Sequence, residues 1–383
     1  MKGADAKRIF AEPHRRRCTR FPMKKNLKIA IVGLGWPGQR HAEAVRASPD
    51  AVLYAGADLS EERRAQFQKQ FAPKKCFADL DETLADPKVD AVVLSLPNFL
   101  HFPASMAVLT SGRHVLCEKP PTLNAEEMRL VKEEAEKRGL IYFFGRQSRF
   151  SGAMRAARKV VQSGRLGKIY YGKAEWLRSR GIPGGVGGWF TDKAKSGGGA
   201  LIDLGVHALD AVWYLMGHPR PTSVSGQVFQ NFPHYVPAGT KFDVEDAGFA
   251  FIKFDNGAVL QLVATWAGNF PEDVVGLADR SNGFINSELH GVKGTIRLNP
   301  LELFEDQAGT VVPVPLEPEE DHLFQIQMQH FLDAILGREA PVNSARQAVY
   351  LMEMLDAIYT SSATGREVII EPVAAPESPA GAA

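Results

Sequence analysis

With 383 residues, 45% of them hydrophobic and 23% charged, the chain is long enough for two domains, each with a core of its own. Its apolar runs, such as Ala91 to Leu94, fall far short of the roughly 18 residues of a membrane-spanning helix, so no membrane partner is expected. The net charge of +1 hides a basic arm: residues 1–25 hold nine Lys or Arg against Asp5 and Glu12, which leaves the rest near −6, and a mildly acidic body excludes nucleic acid as the main partner.

In the arm, Arg15-Arg16-Arg17 has the look of a twin-arginine export signal, but the next apolar segment already leads into a glycine turn, so no separate apolar signal core exists. Residues 1 to about 22 read as a disordered extension or an over-long start, with Met23 as the alternative initiator. Three cysteines, Cys18, Cys76 and Cys117, have neither disulfide-framework nor metal or redox spacing, which points to a reducing, cytoplasmic setting.

From Leu27 the pattern alternates short β-branched runs with amphipathic stretches. Strands are expected at Lys28 to Val32, Val52 to Ala57, Val89 to Ser95, His114 to Cys117 and Leu140 to Phe144. Helices are expected at Gly38 to Ala47, Glu61 to Phe71, about Phe102 to Ser111, and Ala125 to Arg138. This is βαβ rhythm, and runs this apolar suit parallel strands buried on both faces.

After about Phe150 the texture changes. A helix at Met154 to Gln162 precedes long strand candidates at Lys168 to Trp176, Ala247 to Phe254 and Ala258 to Trp266. Asp255-Asn256-Gly257 between the last two is a hairpin signal, because Asn and Gly accept positive φ, and it implies an antiparallel or mixed sheet. Helices at about Asp321 to Leu336 and Ser344 to Thr360 follow, then a Pro/Ala/Gly-rich tail that reads as mobile. The division expected is an extension at 1–25, a dinucleotide-binding domain at 26–148, a second α/β domain at 149–371 and a tail at 372–383.

Gly33-Leu34-Gly35-Trp36-Pro37-Gly38 follows an apolar strand and opens a helix, and Asp58 lies twenty residues beyond Gly38 at the end of the second strand. In that context the three glycines serve a tight turn, close backbone approach to a pyrophosphate, and helix packing, with Trp36 at the helix N-terminus that faces the phosphates. A carboxylate at Asp58 accepts from both ribose hydroxyls of NAD and repels the extra phosphate of NADP. Arg63 and Arg64 nearby leave NADP possible.

Two further clusters carry chemistry. Lys119, in Glu118-Lys119-Pro120, directly follows the strand His114 to Cys117, and ligands of open α/β sheets lie at the carboxyl ends of strands. Within Gly197 to His207, Asp203 and His207 stand four residues apart on an expected helix and share a face. Three leading glycines imply close backbone approach there, and Gly205 is an odd choice for helix stability alone.

With these motifs, with Leu96-Pro97-Asn98-Phe99-Leu100-His101 and with the closing Leu355-Asp356-Ala357-Ile358-Tyr359, the chain resembles the Gfo/Idh/MocA oxidoreductases, the family of glucose-fructose oxidoreductase and inositol dehydrogenase, from about Leu27 to Val368. The resemblance implies a Rossmann domain followed by an α/β domain with an open, mainly antiparallel sheet, and a homodimer or homotetramer. It also implies NAD(P)-dependent hydride transfer at a hydroxyl carbon of a sugar, polyol or derivative. Lys119 would be the catalytic lysine, Asp203 its partner at the substrate and His207 the acid/base, with Pro97, Asn98, His101 and Glu118 lining the cofactor pocket. Histidine suits proton transfer near neutrality, and an ammonium suits a developing alkoxide.

For the substrate, Arg146, Arg149, Arg178, Arg180, Trp189 and Phe190 fall in segments that flank the cleft in similar proteins. A guanidinium can recognise a carboxylate, phosphate or several hydroxyls, Trp189 can stack under a sugar ring, and the glycine-rich loop Arg180 to Gly188 can fold over a substrate. Three readings stand together: a simple sugar dehydrogenase, a glycoside-processing enzyme that oxidises, eliminates and re-reduces, and a non-catalytic NAD-binding sensor, which the presence of Lys119, Asp203 and His207 argues against. No metal is expected, because no His/Cys/Asp/Glu group has recognised ligand spacing.

Overall fold

The strand β1 (Leu27–Val32) is buried on both faces, as a parallel sheet demands. The computed structural model describes residues 26–183, 188–269 and 284–372. The basic arm, residues 184–187 of the expected covering loop and the tail beyond residue 372 lie outside them. After β1 the chain runs through α1 (Trp36–Ala47), β2 (Ala51–Ala57), α2 (Glu61–Phe71), β3 (Lys75–Phe77), α3 (Leu80–Ala85), β4 (Ala91–Leu94), α4 (His101–Thr110), β5 (His114–Cys117), α5 (Ala125–Arg138) and β6 (Tyr142–Phe144). The six strands form a parallel sheet in the order β3-β2-β1-β4-β5-β6. This is the doubly wound order whose crevice, where the winding reverses between β1 and β4, receives dinucleotides.

Local signals agree with these bounds. Ser60 caps α2 by accepting from the Arg63 amide. Asn124 caps α5 by accepting from the Glu127 amide, and the Glu127 carboxylate reaches back past the cap to the Leu123 amide, a variant of the capping box. Gly139 ends α5 at a φ of +66°, the left-handed cap glycine favours.

The second domain opens with α6 (Gly152–Gln162) and β7 (Ile169–Leu177), then α7 (Lys193–Ser196), a π turn at Leu201–Gly205, α8 (Val206–Leu215) and β8 (Pro221–Phe229). Strands β9 (Ala247–Phe254), β10 (Val259–Thr265), β11 (Phe284–Gly291), β12 (Gly294–Leu298), β13 (Leu301–Gln307) and β14 (Thr310–Val314) follow, then α9 (Leu323–Ile335), α10 (Ala345–Thr364) and β15 (Val368–Ile369). Nine strands form one open sheet, β14-β13-β12-β11-β7-β10-β9-β8-β15, antiparallel except for the parallel pair β7–β10. The hairpin at Asp255 to Gly257 joins β9 to β10 as expected, with Gly257 at a φ of +82° and the Asn256 side chain accepting from the Ala258 amide.

Residues alternate along β9: Ala250 and Ile252 are buried beneath the π turn and α10, while Phe249 and Phe251 point outward. No helix among the described residues is long and apolar enough to cross a membrane.

One packing relation differs from the expected division at 148/149. Helix α9 lies far along the chain, yet its Met328, Phe331 and Leu332 join Leu27, Ile29 and Ile31 in the core beneath the first sheet. Helix α9 thus closes the N-terminal domain, and the two units share a core.

Candidate active site

The glycine turn forms at the carboxyl end of β1. Gly33 has a φ of +91°, and a Cβ there would lie 2.2 Å from the Ser95 carbonyl oxygen. A Cβ on Gly38 would lie 2.0 Å from the Gly33 oxygen, so the first and third glycines let strand, turn and helix meet backbone to backbone. Gly35 meets nothing nearer than Pro37 at 3.9 Å. It is also the N-cap of α1 without a side-chain cap, which leaves first-turn N–H groups for an anion. Asp58 braces the turn from the end of β2: its Oδ2 accepts from the Leu34 amide at 2.9 Å and its Oδ1 from Ser60 at 2.9 Å.

Lys119 follows β5, as the strand-end argument requires. Its Nζ donates to Asp203 Oδ1 at 3.0 Å and to the Asp203 carbonyl at 3.2 Å, and the Trp266 indole donates to Asp203 Oδ2 at 3.0 Å. Burial would raise the Asp203 carboxyl, but Lys119 and Arg178 beside it, with the Trp266 bond, carry it below the ordinary carboxylate range. A cavity of about 150 Å³ opens here, lined among others by Pro37 from the glycine turn, Leu96 and Asn98 after β4, Lys119, Trp189 and Asp203. Both domains and the cofactor turn therefore meet at the ammonium of Lys119.

Glu118 also faces this cavity. Its Oε1 is bonded to His41 Nε2 at 2.7 Å, and although burial pushes the carboxyl up, the His41 bond and charge bring it below its usual value.

The π turn that carries Asp203 leads directly into α8 with His207, which lies behind Asp203 and is not among the residues lining the cavity; such wide turns recur at functional sites. His207 Nδ1 is bonded to Arg146 Nη1, and the His207 carbonyl accepts from Arg146 Nη2 at 2.9 Å. Burial, then the charges of Arg146, Lys119 and Arg178, hold the imidazole well below its ordinary pKa. The glycines before the turn answer to packing. A Cβ on Gly199 would lie 1.8 Å from the Glu245 carbonyl oxygen and one on Gly198 2.0 Å from Tyr359 Oη, while Glu245 Oε1 accepts from the Gly199 and Leu201 amides and from Tyr359.

Residues 27–146 match the oxidoreductase family with an NAD-binding Rossmann fold, and residues 154–297 match the GFO/IDH/MocA C-terminal domain. D-glucoside 3-dehydrogenase of Escherichia coli (strain K12) is 30% identical over 353 residues, 89% of this chain and 97% of that protein. The chain belongs to the Gfo/Idh/MocA oxidoreductases. A second relative, the NAD(+)-dependent scyllo-inositol 2-dehydrogenase of Bacillus subtilis (strain 168), is 26% identical over 91% of this chain and 98% of its own. Levoglucosan dehydrogenase, solved with NADH and L-sorbose, shares the fold with a TM-score of 0.81 at 23% identity over 91% of this chain and 100% of that one.

NAD is the cofactor of this Rossmann family, and the uncapped α1 terminus, the open approach at Gly35 and the Asp58 carboxylate all fit it. The remaining expected pocket residues differ in where they stand. The Trp36 indole is exposed and leans edge-on against Phe324 of α9. His101 does not face the cavity: it is wholly buried, with Nδ1 on the Pro120 carbonyl at 2.6 Å and Nε2 on the Leu96 carbonyl at 2.8 Å, so it clasps the two loops that follow β4 and β5. Asn98 lines the cavity, but its amide donates to the Ser196 carbonyl at 2.8 Å and ties the two domains together. Pro97 caps the short turn that presents Asn98.

Arg149 is the clearest correction on the substrate side. It is 1% exposed and donates to Asp210 through Nε and Nη2, and to Val342, Asn343 and Gln347 through Nη1, so no donor faces the cavity. Arg178 stays at the site, with Nη1 3.7 Å from Asp203 Oδ2, and Trp189 lines the cavity stacked on Phe190 at 3.9 Å. Sequence reasoning missed His41, Trp266, Asp210 and Glu245. Trp266 ends an expected strand and His41 sits one turn after Gly38, but neither position carries a signal that names its partner.

Proposed function

We propose that the enzyme oxidises a secondary hydroxyl of a sugar, a cyclic polyol or, as the Escherichia coli relative suggests, a glucoside, in the cavity between the domains. The observation that carries this reading is the Lys119 ammonium, pinned to Asp203 at 3.0 Å where the cofactor turn and the second domain converge. The bound nicotinamide supplies the hydride acceptor. Lys119 and His207 divide between them proton transfer and stabilisation of the developing alkoxide, and Asp203 orients Lys119 with help from Trp266. Arg178 and Trp189 are the residues placed to recognise hydroxyls and a ring face. NAD is the preferred nucleotide, since Asp58 stands where a ribose phosphate would meet a carboxylate.

A homodimer or homotetramer belongs to the same reading. The outer face of the nine-stranded sheet exposes Phe229, Phe249 and Phe251, a patch that a second copy would cover, and light scattering of the purified protein tests it. The buried Cys117 and half-buried Cys76, outside any disulfide spacing, fit a cytoplasmic location.

The test is incubation with NAD and a panel of hexoses, glucosides and inositols while reduced cofactor is followed by absorbance. Stoichiometric NADH supports the dehydrogenase, aglycone release without net NADH indicates an oxidation-elimination cycle, and no reaction with any of them overturns the proposal. Lys119→Ala is expected to cut kcat by roughly a hundredfold or more with NAD affinity retained.

A further inference from the structure

The groups behind His207 decide how it takes part. Arg146 is wholly buried and all three of its guanidinium nitrogens are engaged: Nε donates to Asp210 Oδ2 at 2.8 Å, Nη2 to the His207 carbonyl at 2.9 Å, and Nη1 to His207 Nδ1. A guanidinium carries donors only, so the imidazole nitrogen facing it must offer its lone pair. A neutral ring with a bare Nδ1 holds its single proton on Nε2.

The surroundings oppose a second proton. Imidazolium would set Nδ1–H against the Arg146 N–H and add a charge beside one already buried. Lys119 from the first domain and Arg178 after β7 act in the same direction, and the Trp176 ring, 5.5 Å away, carries no charge. Asp210, one turn further along α8, does not restore balance, because its two oxygens are shared between Arg146 and Arg149, which leaves two guanidiniums for one carboxylate. Asp203 is itself engaged with Lys119.

We infer that Arg146 is a positioning residue that fixes His207 as a neutral imidazole protonated on Nε2, so that His207 donates a hydrogen bond to the substrate oxygen and does not accept its proton. The inference rests on the reading of Lys119, Asp203 and His207 as the reacting site. In oxidation, NAD held at the glycine turn would supply the hydride acceptor for the electron pair of the breaking substrate C–H bond. The O–H proton passes to Lys119 Nζ as that group gives one of its own protons to water, so the ammonium held by Asp203 is kept, and the C=O bond forms. The Nε2–H of His207 steadies the oxygen throughout and returns unchanged, and reduction runs the same steps backwards.

The tautomer is observable without turnover. In 15N-histidine-labelled enzyme, with His207 assigned by its loss in His207→Gln, Nδ1 is expected at the shift of an unprotonated ring nitrogen and Nε2 at that of a protonated one. Both should stay constant between about pH 5 and 8, where an ordinary histidine titrates. Arg146→Lys, which keeps a charged donor, should retain this signature, whereas Arg146→Met should release His207 to titrate. In kinetics, His207→Gln, which keeps an N–H donor, should exceed His207→Leu in kcat by about tenfold, the value of one hydrogen bond. A proton on Nδ1, or titration of His207 in the wild type within that range, overturns the inference, as does equal activity of the two His207 variants. Failure of the wild type to oxidise any sugar would overturn the proposed function while leaving the tautomer result standing.

Discussion

Arg149→Ala separates a substrate-binding arginine from a structural one. The guanidinium is bidentate on Asp210, at 2.5 and 2.9 Å, donates to three further oxygens at 2.7–3.1 Å, and lies between the rings of Phe144 and Tyr214 at 5.0 and 4.9 Å. Truncating one partner of such a buried pair costs about 3–5 kcal/mol, out of the ~5–15 kcal/mol that holds a typical protein folded. At roughly 2–4 °C per kcal/mol for units of this size, the melting temperature should fall by about 6–20 °C, read by circular dichroism. The KM for the sugar, measured well below the new melting point, should stay within about twofold of wild type, since no contact with the cavity is lost. A variant that melts normally but shows a KM raised tenfold would refute this account and return Arg149 to the substrate.

Gly38→Ala drives a Cβ to 2.0 Å from the Gly33 oxygen and should weaken NAD binding by about tenfold or more in calorimetric titration, because two backbones must part; unchanged affinity would mean that the turn is looser than described. Asp58→Ala removes the ribose acceptor and the charge opposing a phosphate, so the ratio of kcat/KM for NAD to that for NADP should fall by roughly tenfold or more, and a wild type that already favours NADP would sink the assignment. Asp356→Asn addresses pH. Burial first, then Glu353 and Glu127, push this carboxyl from 3.8 up to about 6, although it accepts from the Ala125 amide. A carboxyl raised on folding stabilises below its unfolded value and loses that contribution as pH rises towards 6, so the wild type carries a cost above pH 6 of about 1–2 kcal/mol after allowance for partial exposure. The variant should melt a few degrees higher than wild type at pH 7.5 and equally at about pH 4, and a gain independent of pH would show that the charge is not its cause.

How much of this was readable beforehand follows from the range of each interaction. The strands His114 to Cys117 and Ala247 to Phe254 and the helices Glu61 to Phe71 and Ala125 to Arg138 were expected at the bounds observed, because burial pattern, cap and turn residue all lie within a few positions of one another. Strand β3, with three residues, and the hairpins β11 to β14 were not assigned. The latter present one half-exposed, charge-bearing face, which leaves little periodicity to detect. In the site, the glycine turn, Asp58 and Lys119 were legible because strand ends and glycine spacing place them. The glycines at 197–199 were legible as close approaches but not in what they approach, since Glu245 and Tyr359 lie far along the chain.

The two arginines after β6 show where local reading stops. Arg146 and Arg149 are the same residue type three positions apart, and both flank the expected cleft. Each turns inward only because Asp210 waits more than sixty residues downstream. Arg149 then finds Asn343 and Gln347 nearly two hundred residues away and becomes a tie between α8 and the start of α10. Arg146 instead meets His207, one turn before Asp210 on α8, and gains a chemical consequence. Two guanidiniums sharing one carboxylate leave a positive charge beneath the imidazole, which keeps that ring neutral at the pH where a free histidine begins to titrate. The scaffold that joins the domains is thus also the electrostatic setting of the reacting residue, and a substitution at Asp210 should disturb stability and His207 together.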